Sequence, residues 1–144
     1  MGIYRQHKLS IIRHAKQLAA QLPSTSFIDL DAHANIDELP KSDFVGIDGF
    51  SMQENDEGIA VFVSYAGCTW ADTDLMRLTT MMDTLVEALR PGRQVQLWME
   101  NPGPGVAPSW MKVAGEVLVQ PTERSDQRAI QLVTLRLLSG QTGH

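Results

Sequence analysis

Few residues of this chain are typed and spaced for chemistry, and Asp29, Asp31 and His33 come first. Alternate side chains of an extended segment face one way, so this D-x-D-x-H run could offer oxygen and nitrogen ligands to a metal. No fourth ligand is recognisable, and the expectation is an acidic loop without a metal. Cys68, between Gly67 and Thr69, would need a base or a positive neighbour to act as a thiolate nucleophile. The surrounding sequence supplies neither, so packing is its expected role. His7 and His14 share one face of a helix and read as surface histidines beside Arg13. In Gly103-Pro104-Gly105 the proline removes an amide that a phosphate cradle would use. The chain holds no phosphate-binding loop ending in Lys-Ser/Thr, no G-x-G-x-x-G, no G-x-S-x-G elbow and no H-E-x-x-H. No catalytic, cofactor-binding or metal-ligating residue is assigned, and no cofactor is expected.

Side chains suited to association are easier to find. Trp70, Trp98 and Trp110 are candidate interface anchors, because tryptophan is enriched at association hot spots. Core placement is equally open to each of them. The methionines Met76, Met81, Met82, Met99 and Met111 read as core filler or adaptable interface rather than a cofactor box. Residues 1–28 carry Arg5, Lys8, Arg13 and Lys16 with no acid, a charge of +4. Residues 29–87 carry thirteen acids against Lys41 and Arg77, and residues 88–144 return to +2. Solvated surface is the plain reading. The sharper one sets a basic surface, with Arg5, Lys8, Arg13 and Lys16 as candidate subunit-interface residues, against an acidic surface on the next copy.

Composition bounds the rest. The 144 residues hold 43% hydrophobic and 20% charged residues with a net charge of −5, which suits one globular domain over 1–144 and not a disordered chain. One cysteine excludes an internal disulfide and a cysteine zinc cluster. No apolar run approaches the ~20 residues of a membrane span, so no membrane partner is expected. Polar residues interrupt every apolar stretch from Ile3 to Leu22, so no signal peptide is read there and a cytoplasmic protein is expected. An acidic chain without a concentrated basic surface is a poor nucleic-acid binder, though DNA could pass it without sticking.

The elements that must position these residues follow from periodicity. Ile11, Ala15, Leu18 and Leu22 predict an amphipathic helix over 3–22, stopped by Pro23. Residues 24–42 read as an ordered loop or arm, with a short edge strand at Phe27–Leu30. Residues 44–52, made pliable by Gly46 and Gly49, and 59–65 predict a hairpin. Leu75, Leu78, Met82, Leu85 and Leu89 form one stripe and predict a helix over 73–90, capped by Asp72 or Thr73 and ended by Pro91-Gly92. Val95, Leu97 and Met99 predict a half-buried strand before a proline-rich loop at 101–110. Residues 111–120 and 128–138 predict a long C-terminal hairpin, with 139–144 a frayed tail. The fold class is α+β, a mainly antiparallel sheet packed by two helices.

A leading amphipathic helix, an acidic stretch running Ile36-Asp37-Glu38-Leu39-Pro40 into Phe44-Val45-Gly46-Ile47, then strand, helix and closing hairpin resembles the tail terminator (tail completion) proteins of long-tailed bacteriophages. The resemblance spans about residues 3–138 and lies in pattern rather than in an identity-bearing motif. The long 101–110 loop and the extended final hairpin depart from it. It implies a homo-oligomeric, hexameric ring, part of the virion neck and assembled in the host cytoplasm. Such a ring caps the tail tube, stops its polymerisation and offers a docking surface to the head-completion connector. DNA would pass through without specific binding, and no bond-making chemistry is implied. Another neck or baseplate subunit of a phage or contractile injection system is the runner-up. A small-molecule- or peptide-binding domain, with its pocket between the sheet and helix 73–90, is the alternative from another class. An enzyme comes third.

Overall fold

The computed structural model describes residues 2–33, 35, 38–100 and 102–140. In chain order it contains α1 (Ile3–Ala20), β1 (Ser26–Asp29), a 3-10 turn (Leu30–Ala32), β2 (Phe44–Asn55) and β3 (Gly58–Trp70). There follow α2 (Met76–Ala88), β4 (Gln94–Gln96), β5 (Trp110–Val113), β6 (Leu118–Val119), β7 (Glu123–Ser125) and β8 (Arg128–Gly140). The fold is α+β. One eight-stranded sheet runs β1-β2-β3-β8-β5-β4, with β6 and β7 also paired to β8. Every pairing is antiparallel except β1 with β2, which is parallel.

Strand alternation divides the sheet residues between two faces. Ile59, Val61, Val63 and Tyr65 of β3 and Val133, Leu135 and Leu137 of β8 are buried on the face that both helices cover. Ile11, Ala15 and Leu18 of α1 and Leu78, Met82, Leu85 and Leu89 around α2 supply the opposing stripe, as their spacing requires. A smaller cluster lies on the other face at one end of the sheet. There Leu39 from the 30–42 arm is buried with Phe44 and Cys68.

Several boundaries differ from the sequence reading. The first helix ends at Ala20, with Gln21 as its C-cap, so Leu22 lies outside it. The second begins at Met76 because Leu75 is left-handed (φ +58°). Its cap is the Asp72 carboxylate, which accepts from the Leu78 N–H at 2.8 Å and the Arg77 N–H at 3.4 Å. The hairpin of β2 and β3 is longer than predicted and slips register between Asp48 and Ser51, where Gly49 takes φ +66°. In the strand predicted from Val95, Leu97 and Met99, the ladder stops at Gln96. The closing hairpin keeps a long β8, but its other limb breaks into β5 and β6, and a further short strand, β7, forms in the segment expected to be a connection. Gly115 turns left-handed (φ +77°) between β5 and β6, and Pro121, which lacks an N–H, falls between β6 and β7. Ser139 is no frayed residue; it is buried in β8, while 141–144 lie outside the described residues. Ile36, Asp37 and Asn101 also lie outside them, and with them part of the acidic stretch that carries the resemblance.

Candidate assembly surface

The acidic run resolves into a clip. Asp31 accepts from the N–H groups of Gly49 at 2.9 Å and Phe50 at 3.1 Å, satisfying the amides that the β2 bulge frees. Burial works to raise its carboxyl, but those two amides and the Lys8 ammonium at 3.2 Å hold it below its ordinary value. Asp48, close to Asp31, is pushed up by burial and by that neighbouring carboxylate. Lys8 also reaches Asp29 at 3.6 Å, whereas His33 turns to Glu38 at 3.9 Å. The three residues therefore do not converge, and among the described residues no group of His, Cys, Asp and Glu is arranged to hold a metal ion.

His7 and His14 are not surface residues. His7 is buried, its Nδ1 bonded to the Ile3 carbonyl at 2.8 Å and its Nε2 to Ser139 Oγ at 3.0 Å. His14 is half-buried and bonded through Nδ1 to the Tyr65 hydroxyl at 2.8 Å. Both sit on the side of α1 that meets the sheet, and each ring finds one hydroxyl partner there. Burial brings His14 down to about 4 and raises Tyr65 well above its ordinary value. Cys68 is fully buried, and burial raises its thiol against the opposing pull of Arg128 Nη1 at 3.5 Å. A basic neighbour invisible in the local sequence is thus present, yet the thiol stays protonated.

The candidate interface residues fall into two sets. Arg5 pairs with Glu100 at 3.3 Å and lies 6.0 Å over Trp98, so Arg5 and Lys8 are answered within the chain. Arg13 and Lys16 are exposed and make no ion pair with another described residue; Lys16 lies 5.8 Å over Phe27. Trp98 is half-buried, its N–H donating to Ser10 Oγ at 2.7 Å. Trp110 is 44% exposed and lines two clefts that follow one another along α1, one at Ile3, Gln6 and His7 and the next at Ser10, Arg13 and His14. Trp70 is flanked by two cations, with Arg128 5.1 Å and Lys41 5.8 Å from its ring.

The second face of the sheet holds what the sequence reading missed. Phe62, Arg136 and Leu138 project there from β3 and β8, with Leu118 of β6 on the same face, and all four are exposed. Leu118 is 59% exposed on that open sheet surface. Ser64 and Thr134 bond to each other at 2.8 Å in its middle, and Gln120 Nε2 donates to Thr134 at 3.0 Å, so the polar groups there are already satisfied. The signal was present: Ile59-Ala60-Val61-Phe62-Val63 is apolar on both parities, the pattern of a strand covered on two sides.

A cleft of about 220 Å³ lies beside the start of α2, lined by Leu22, Pro23, Met76, Met81, Asp43 and Arg77 among others. Its charged groups are spent on each other, Arg77 Nε lying 3.0 Å from Asp43. Comparison with protein-family models and with curated proteins returns no match.

Proposed function

We propose that this chain is a structural virion protein, the tail terminator of a phage. Copies form a ring that caps the tail tube, stops its growth and offers a surface to the head-completion connector, with DNA passing through the centre. The observation that carries this reading is the open second face of the sheet. Helices lie on one side only, and the 30–42 arm covers the other side at one end, leaving Phe62, Leu118 and Leu138 in solvent. A sheet that leaves apolar side chains exposed on its uncovered face suits a layer of a larger structure, and here the missing layer comes from another chain. Function in such a part resides in shape and complementary surfaces. The pattern-level resemblance supplies the identity of the object assembled.

Electron microscopy and native mass spectrometry of the purified protein test this, together with addition of the protein to growing tail-tube subunits. Closed rings and arrest of tube growth are expected. Monomer at every concentration together with unaltered tube growth would overturn the reading.

A further inference from the structure

One strand pair carries opposite charge at its two ends. β3 and β8 stay in unbroken register from Gly58 opposite Gly140 to Trp70 opposite Arg128, a span of about 40 Å. At the first end the last residues of β2 and the β2–β3 turn present Glu54, Asp56 and Glu57, all exposed and none in an ion pair with another described residue. At the other end lies a cleft of about 310 Å³ lined by Leu39, Lys41, Trp70, Ser125, Asp126, Gln127 and Arg128.

Arg128 is the unusual member of that cleft. It is only 7% exposed, and its guanidinium donates to the carbonyls of Pro40 at 3.1 Å and Leu39 at 3.4 Å and to Cys68 Sγ at 3.5 Å. Its ring neighbours are Trp70 and Phe44. All of these partners are neutral, so its charge is buried without a counter-ion among the described residues. Lys41 adds a second cation over the same indole, also without an ion-pair partner among them. Asp126 is the cleft's own carboxylate and is exposed at the β7–β8 turn. Nearby Asp43 is taken by Arg77 at 3.0 Å. A buried guanidinium held by neutral groups gains from a carboxylate brought up to its cleft, where the exposed Lys41 ammonium adds a second positive charge.

We propose that the acidic β2–β3 turn of one copy docks into the Trp70–Arg128 cleft of the next. The two surfaces are unlike and lie at opposite ends of one strand pair, so the contact is head-to-tail and propagates in one sense around a ring. The proposal deepens the terminator reading and rests on it.

Charge reversal tests it. The turn variant is Asp56→Lys with Glu57→Lys, and the cleft variant is Lys41→Glu; all three positions are exposed, and thermal melts check that both variants fold. Association is read by native mass spectrometry and sedimentation, with and without tube ends. Each variant alone is expected to lose roughly tenfold or more in self-association. An equimolar mixture is expected to recover it, because the lysines of one turn meet the glutamate of the other cleft while the remaining contacts stay native. Unchanged association in both variants overturns the proposal, as does a mixture that fails to recover. Inorganic phosphate that occupies the cleft while association ignores turn charge also overturns it, assigning the cleft to a free anion. If wild-type rings and tube capping persist through both reversals, this contact falls and the terminator reading stands. If association follows the charge swap but tube growth is never arrested, the reverse holds.

Discussion

The Tyr65 hydroxyl, at the centre of the sheet, shares a hydrogen bond with Nδ1 of His14 on α1 across 2.8 Å, and the two rings meet edge to face at 5.6 Å. The proton in this contact sits on the hydroxyl or on Nδ1 according to the ring's tautomer, and in either case the bond pairs the buried phenol with the imidazole. It ties the first helix to the middle strand of the fold.

A pH dependence follows. Burial lowers His14 from 6.5 to about 4, so the unfolded chain binds more protons than the folded one between those values. Stability therefore rises with pH across that window; the contribution is complete above about pH 6.5 and is lost as pH falls toward 4. The loss from this group is expected to reach at most about 3 kcal/mol. Urea denaturation at pH 7.5, 5.5 and 4 measures it. His14→Gln should flatten the profile across that range, and a slope unchanged in this variant would refute the assignment.

Asp72 is expected to hold the start of α2. Burial alone would raise its carboxyl, but the N–H groups of Leu78 and Arg77 and the Arg77 charge hold it below its ordinary value. Asp72→Ala should cost about 1–2 kcal/mol, the typical penalty for a lost N-cap, while Asp72→Asn keeps an acceptor and costs less. The depressed carboxyl adds stability present above about pH 4 and lost as pH falls below it. Thermal melts of the two variants followed by circular dichroism make the comparison; equal losses would show that the cap bond matters little.

Two glycines separate rigid from yielding contacts. A Cβ on Gly46 would meet the Ile28 carbonyl oxygen at 3.0 Å and the Leu30 side chain at 3.1 Å, backbone and arm that hold β1 against β2. A Cβ on Gly67 would come nearer still, 2.8 Å from Met82 Sδ and 3.1 Å from Met81 Sδ, but thioether chains can rotate away. Gly46→Ala is therefore expected to cost about 1–3 kcal/mol and Gly67→Ala less than about 1 kcal/mol. Denaturant midpoints rank them, and the reverse order would contradict the argument.

The helices and long strands were legible because their signal is local. Leu78, Met82, Leu85 and Leu89 line one stripe whatever they pack against, and the helix stops at Ala88, two residues short of the expected end and just ahead of Pro91-Gly92. The breaks were legible only in part. Gly115 stands inside a run that alternates cleanly, and nothing in that run announces the left-handed turn that splits the strand. The sites fared worse. His7 and His14 read as surface residues because their partners, Ser139 and Tyr65, lie far along the chain. The Asp29–His33 run has ligand types at ligand spacing, but Asp31 faces the bulge amides of Gly49 and Phe50, a distant segment that spacing does not reveal.

The order of residue types along the chain determined the α+β class, the two amphipathic helices and the segregation of charge, since each follows from periodicity or composition within a short window. Tertiary structure decided that β1 lies parallel to β2, that β8 runs between β3 and three short strands, and that Arg128 comes to lie over Trp70. It also decided which face of the sheet stays open. Those outcomes depend on which distant segments share a strand edge, and the free energy that selects one pairing over another arises only when the whole core closes at once.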